Sequence, residues 1–301
     1  MKRLLPALLC IILAMPAWAQ EDPLYAQYLN NPLVINPAYT GLNKNFNAAL
    51  TYRRQWGGFD GAPTTASVSV HSSLMNNKMG LGMLVVRDRS GNSNNTEAVA
   101  TYAYRIHVDD KSISFGLQGG LINYRSINSE LNPYDPSDPA FNSDQNLIKP
   151  SIGAGMMVSN ERFLIGLSAP RLLKAESAGD QFSAQLYSQH YYLMGAYVFH
   201  LTERLRFKPS VLLKGVKGAP FSTDYNAALN IDERYTASLF TRNFNTYGFL
   251  AQVRLGEAYR LGYAFEVPTN ASVGTRFTTH EFSFGLNLAL LRSHDTTITN
   301  F

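Results

Sequence analysis

Residues 204 to 216 read RLRFKPSVLLKGV, and their alternation decides the fold. Leu205, Phe207, Pro209, Val211 and Leu213 point one way, while Arg206, Lys208, Ser210 and Lys214 point the other. Successive side chains of a strand face opposite sides of its sheet, so this stretch has one apolar face and one charged face. The pattern recurs along the chain with no helical period between repeats. It predicts strands over 47–53, 65–72, 80–87, 96–106, 112–125, 150–159, 162–169, 189–201, 204–216, 222–232, 235–242, 246–255, 258–266 and 278–290. An even set of about fourteen such strands, with lipid on one side and water on the other, makes an all-β fold: a transmembrane antiparallel β-barrel. A soluble β-sandwich also alternates, but its strands are shorter and its turns more uniform.

The connections support a barrel. Leu74 to Lys78, His107 to Lys111, Asn160 with Glu161, Thr202 with Glu203, Glu233 with Arg234 and Gly256 with Glu257 are short and even-numbered. The longest, Gln55 to Pro63, Ser126 to Lys149, Pro170 to Ser188 and Val267 to Phe277, are odd-numbered. Outer-membrane barrels have short periplasmic turns and long outer loops, so both termini are expected in the periplasm and the long loops outside. Lys217 to Phe221 and Asn243 to Asn245 break the rule, being short on the long-loop side. Facing agrees with a barrel. Ala98, Ala100, Tyr102, Tyr104 and Ile106 oppose Glu97, Thr101 and Arg105, and Tyr247, Phe249, Ala251, Val253 and Leu255 oppose Thr246, Gln252 and Arg254. Glu97, Arg105, Arg206, Lys208 and Arg254 are expected to pair across a wet interior.

The ends divide off. Lys2 and Arg3, the apolar run from Leu4 to Pro16, and Ala17-Trp18-Ala19 make residues 1–19 a secretory signal peptide. Cys10 lies inside that run and is the only cysteine, so the mature chain has neither disulfides nor a thiolate metal site. Removing Lys2 and Arg3 from a net charge of +4 leaves about +2, too little for a nucleic-acid surface. Aromatic residues at 12% against charged residues at 16% suit a barrel whose Tyr and Phe gather at membrane interfaces. Residues 46–292 form the barrel and 293–301 a polar tail.

No catalytic constellation is present: no GxSxG, HExxH, phosphate-binding loop or Cys/His cluster. His71 near Ser69, Ser72 and Ser73 is read as interfacial polarity rather than as lipase chemistry. Asp135, Asp138, Asn142 and Asp144 fit no EF-hand spacing and read as a solvated loop, so no metal or cofactor is expected. Gly116, Gly119, Gly120, Gly153, Gly155 and Gly166 interrupt strands, where glycine relieves curvature or crowding.

Residues 20–45, QEDPLYAQYLNNPLVINPAYTGLNKN, do not alternate. Asp22-Pro23, Asn31-Pro32 and Asn36-Pro37 punctuate Leu24, Tyr25, Tyr28, Leu33, Val34, Ile35 and Tyr39. Such a segment is too apolar to stay in water, so it packs either in the lumen as a hatch or against a periplasmic partner.

DPLYAQY, NPLVINPAYTG and YRRQWGGFDGAPTTASVSVHSSL, then GLGMLVVRDRSG, GLSAPRLL, LRFKPSVLLKG, YRLGYAFEV and THEFSFGL, resemble the PorP/SprF family of the type IX secretion system of Bacteroidetes. The resemblance implies a non-enzymatic outer-membrane barrel serving secretion and gliding. It implies contacts with periplasmic ring or motor proteins and with secreted cargo bearing C-terminal sorting domains. On the family's pattern, Asp22, Pro23, Tyr25, Gln27, Tyr28, Asn31, Pro32, Asn36, Pro37, Tyr39, Trp56 and Phe59 are candidate partner-binding residues, and Arg53, His71, His280 and Glu281 also match. Glu266 departs from it, standing where the family pattern leads one to expect aspartate. The outer loops 126–149 and 170–188, with Tyr134, Phe141, Phe182 and Tyr187, are further candidate contacts. A FadL-like or porin-like barrel carrying small or hydrophobic solutes is the alternative.

Overall fold

The computed structural model describes residues 26, 28, 30–43, 45–128, 144–173, 175–178, 183–187, 189–216, 220–269 and 274–288, of which 175–178 and 183–187 as backbone. The expected signal peptide and C-terminal tail lie outside these residues. The first half of the chain forms β1 (Phe46–Arg54), β2 (Thr64–Leu74), β3 (Met79–Ser90), β4 (Ser93–Val108), β5 (Lys111–Ser126), β6 (Gln145–Ser159) and β7 (Phe163–Ala169). Next come β8 (Ala175–Ala178), β9 (Ser183–Tyr187), β10 (His190–Tyr197) and β11 (Phe199–His200). The remainder are β12 (Leu205–Val216), β13 (Ser222–Ile231), β14 (Tyr235–Arg242), β15 (Thr246–Leu255), β16 (Tyr259–Pro268) and β17 (Thr279–Leu288).

β10 and β11 are one strand interrupted at Val198, since both pair with β12 in a single register, Ala196 opposite Ser210 and Phe199 opposite Phe207. The hairpin β8–β9 stands apart as its own two-stranded sheet. The other strands form one antiparallel ring of fourteen, and β1 pairs with β17 from Phe46–Leu288 to Arg54–His280 to close it. Closure removes both sheet edges, so every stave has a neighbour on each side.

Side chains are sorted inside out. Leu117, Leu121, Leu167, Leu239 and Phe282 stand on the outer face, each more than half exposed. Arg53, Thr101, Arg105, Gln118, Asn226 and Glu281 are buried within. On β4, Glu97, Thr101 and Arg105 face in while Tyr104 and Ile106 face out. The alternation along RLRFKPSVLLKGV holds too, with Lys208 and Ser210 buried and Leu213 outward.

All fourteen expected strands form, and β6 begins five residues earlier than expected. The hairpin β8–β9 inside the 170–188 connection was not legible. The two short connections that broke the rule join β12 to β13 and β14 to β15, and strand length does not set them apart: β12 has 12 residues, while β7, which precedes a long connection, has 7. Both Phe46 and Leu288 lie at the opposite rim, with the short turns.

The outer face sets a test. Leu239 is central on β14 and 67% exposed. Leu239→Arg is expected to cost roughly 2–4 kcal/mol of folded stability in urea titrations in phospholipid vesicles, and Leu239→Phe little.

Candidate functional site: a lumen occupied by the amino-terminal segment

The described residues of the Pro-punctuated segment, 26, 28, 30–43 and 45, lie inside the barrel. Pro32 and Pro37 each open a single 3₁₀ turn, Pro32–Val34 and Pro37–Tyr39. Proline suits the first position of a helical turn, because its φ is already set and its missing N–H has no partner to lose there. Asn36 caps the second turn, its Oδ1 accepting from Ala38 N at 2.9 Å.

Tight turns leave carbonyls without partners in the chain, and the wall supplies donors. Ser168 Oγ donates to Ile35 O and Ser114 Oγ to Ala38 O, each at 2.7 Å, and the Arg105 guanidinium reaches Thr40 O. In the other direction, Asn36 Nδ2 donates to Met156 O at 3.3 Å and Gly41 N to His71 Nδ1 at 3.0 Å. Leu33, Ile35, Tyr39 and Leu42 fill a lumenal apolar patch with Met157, Leu164, Tyr192 and Met194. Burial pushes the Tyr39 hydroxyl up to about 12, with the Arg260 guanidinium nearby pulling it down. The wall is thinned to admit the segment. A Cβ at Gly116 would overlap the Pro37–Ala38 backbone, and one at Gly155 the Asn36 side chain. These glycines therefore relieve crowding, and what crowds them is the plug.

The segment runs nearly the length of the lumen. At the short-turn rim Asn45 Nδ2 bonds Asn287 Oδ1 at 2.7 Å. At mid-wall Asn31 Nδ2 bonds Ser69 Oγ at 2.9 Å. Near the long-loop rim Ala26 N donates to Glu281 Oε2 at 2.7 Å, Glu281 being the third residue of β17.

Glu281 belongs to a buried clasp. Arg53 Nη1 bonds Glu266 Oε1 at 2.8 Å and Glu281 Oε2 at 3.0 Å, while Nη2 bonds Glu266 Oε2 at 2.7 Å. Arg242 extends it, 3.0 Å from Asp224 Oδ2 and 3.7 Å from Glu266 Oε2. Removing one partner of so enclosed a pair typically costs about 3–5 kcal/mol, because the other charge is left stranded. Glu266, the departure from the family pattern, is the bidentate partner of Arg53. The connection after β7 also bends inward, with Gln118 Nε2 donating to Pro170 O at 2.9 Å and Arg171 paired to Glu97.

Candidate residues separate by position. Tyr28, Pro32, Asn36, Pro37 and Tyr39 are buried in the lumen, and Asn31 is half-buried on Ser69. Trp56 and Phe59 stand at the long-loop rim. There Trp56 N donates to Thr279 Oγ1 at 3.2 Å and the Phe59 ring meets Phe277 edge-on at 5.9 Å. Asp22, Pro23, Tyr25 and Gln27 lie outside the described residues, as do Asp135, Asp138, Asn142, Tyr134, Phe141 and Phe182, and Tyr187 is described only as backbone. His71 is engaged by Gly41 and by the edge of Tyr39 at 5.5 Å. Among the described residues no cluster could hold a metal ion.

Glu97, Arg105 and Arg206, expected to pair across the interior, find other partners. Glu97 takes Arg171, Arg105 takes the plug and Asn77, and Arg206 takes Glu233. Inward parity was readable for each, but the partners come from loops and turns whose path a strand pattern does not fix.

The family model described as type IX secretion system membrane protein PorP/SprF matches residues 17–286. No curated protein matches the chain. Among solved structures, the TodX deltaS2S3 mutant monoaromatic hydrocarbon channel is similar, with TM-score 0.50 and 8% identity over 88% of this chain and 94% of that one. A FadL homologue from Pseudomonas aeruginosa aligns at TM-score 0.48 and 10% identity, over 90% of this chain and 96% of that one. At such identities the likeness to TodX is one of fold alone. The family match, by contrast, spans the lumenal segment, the clasp and nearly all of the barrel: this chain belongs to the PorP/SprF family of type IX secretion system membrane proteins.

Proposed function

We propose that this protein is a non-enzymatic outer-membrane component of the type IX secretion and gliding machinery, supporting export or surface attachment of sorting-domain cargo through protein contacts at its two rims. One observation carries the reading: the lumen holds the described residues between 26 and 45 and the inward turn at Pro170 and Arg171. A wall so closely fitted to its plug suits a scaffold better than a conduit for solutes. The alternation of short turns and long loops supports placing the short-turn rim in the periplasm and the long loops outside. Periplasmic ring or motor proteins would then meet the short turns, and cargo would meet the rim of Trp56 and Phe59.

Two outcomes are expected. Deleting the gene blocks secretion of sorting-domain proteins, seen by mass spectrometry of the culture medium, while uptake of small solutes is unchanged. The purified protein passes little current in planar bilayers, and Gly116→Val, which displaces Ala38, passes measurably more.

A further inference from the structure

The outer face of the first half of the barrel ends in a row that is not apolar. On β4 the outward residues are apolar or aromatic from Ala98 to Ile106, and on β5 from Ile113 to Leu121. These runs match the roughly 9–11 residues that a tilted strand needs to cross hydrocarbon. Beyond them, toward the long loops, the ladder sets Arg54, Thr64, Arg89, Asn94, Arg125 and Asn146 each directly opposite the next, on β1 to β6 in turn. Arg87 stands one pleat nearer the apolar band, on the same face as Arg89. Arg53, Val86 and Tyr124 are buried in the lumen, so parity turns Arg54, Arg87, Arg89 and Arg125 outward, and all four are exposed.

No acid of these strands balances them on that face. Asp88 and Glu97 are the carboxylates of β1 to β6, and both turn inward, Asp88 accepting from Thr65 Oγ1 at 2.6 Å and Glu97 holding Arg171. Among the described residues no ion pair takes any of the four arginines. Arg87 Nε donates to Asn94 Oδ1 at 3.1 Å, which ties it to the row. The opposite wall differs. At this end Lys214 of β12 and Arg242 of β14 face the lumen, so the outward cations of the strands gather on one side of the ring.

Position decides what such a row can hold. These arginines stand where the wall leaves hydrocarbon, at the level of lipid headgroups. A guanidinium keeps its charge, takes phosphate oxygens in pairs, and can lay its stem along apolar surface while its head stays polar. Arg54 and Arg89 are two strand spacings apart, roughly 10 Å, as are Arg89 and Arg125. Thr64 and Asn94 fill the gaps with hydroxyl and amide donors. A phosphate seated over either therefore meets an arginine on each side. Directly below, Val85, Ala98 and Leu121 form an unbroken apolar row across β3 to β5. A soluble anion uses the arginines alone, whereas a lipid uses both rows, and cations at a membrane surface favour anionic lipid.

We propose that the outer wall of β1 to β6 holds the phosphates of an anionic lipid, whose acyl chains lie on the apolar rows beneath. Only the leaflet in which that lipid sits rests on the orientation given under Proposed function; retention of lipid is a property of the purified barrel.

The test is native mass spectrometry of the full-length barrel released from neutral detergent, with diphosphoryl lipid A as the probe and dioleoyl phosphatidylcholine as the reference. The barrel is expected to retain lipid A well below the concentration at which it retains phosphatidylcholine, and lipid A should raise its melting temperature. Arg89→Gln with Arg125→Gln should weaken retention about tenfold or more and abolish that rise. Arg204→Gln with Arg234→Gln, on turns at the other end, should leave retention within about twofold. In lipid-free detergent the Arg89 and Arg125 double variant should melt with the parent, which separates lost binding from lost folding. The proposal is overturned if the parent keeps lipid A no better than phosphatidylcholine, if that variant keeps it as well as the parent does, or if lipid A stripped of its phosphates is kept equally. Displacement of lipid A by inorganic phosphate at equal phosphate concentration, or by a ten-residue glutamate peptide at equal charge, assigns the row to a soluble anion or an acidic protein and overturns it too. So does a variant that melts earlier than the parent without lipid, since the arginines would then serve the fold.

Discussion

The structure depends on one constraint: in hydrocarbon a backbone N–H or C=O has no water to turn to, so the ring of strands must close on itself. Closure here is the pairing of the first strand with the last, Phe46 against Leu288 through to Arg54 against His280. Once the sheet is a ring, the rest follows from pleat. Each residue faces lipid or lumen by parity, and an arginine is cheap on one face and costs roughly 2–4 kcal/mol on the other near mid-bilayer. That asymmetry keeps Leu239 and Phe282 outside and Arg53 and Lys208 inside over strands far apart in sequence.

The same constraint explains what the sequence revealed and what it withheld. Fourteen strands were legible because parity is enforced residue by residue and shows in any window of eight. The rule of short and long connections was legible too, with exceptions between β12 and β13 and between β14 and β15. The plug was half legible. Proline spacing and apolar content said that residues 20–45 must pack, but nothing local says against what, since a lumen and a partner offer similar surfaces. The glycines held the missing clue, because Gly116 and Gly155 lie on β5 and β6 where the plug passes. The clasp was not legible at all. Arg53 meets Glu266 and Glu281 across 213 and 228 residues, and an inward parity shared with dozens of other residues does not single them out.

A filled lumen changes the meaning of the buried polar residues. In an open barrel, inward serines and arginines are wet and interchangeable. Here Ser114, Ser168 and Arg105 each end on a named carbonyl of the plug, so each belongs to a fitted interface. A buried polar group left without its partner costs about 1–3 kcal/mol. The plug and its wall thus stabilise each other.

The clasp joins seam and plug at one point. Arg53 and Glu281 are direct ladder partners across the seam between β1 and β17, and Glu281 also takes the backbone N–H of Ala26. Until β17 pairs with β1, Arg53 lacks the carboxylate of Glu281 and the backbone N–H of Ala26 lacks its acceptor. Closing the ring and fixing the plug are therefore coupled, because one carboxylate serves both the ion pair across the seam and the backbone N–H of Ala26. A barrel that closed with its amino-terminal segment outside would leave Asn36, the Gly116 hollow and the serines of its wall facing an empty lumen, which disfavours that order of assembly.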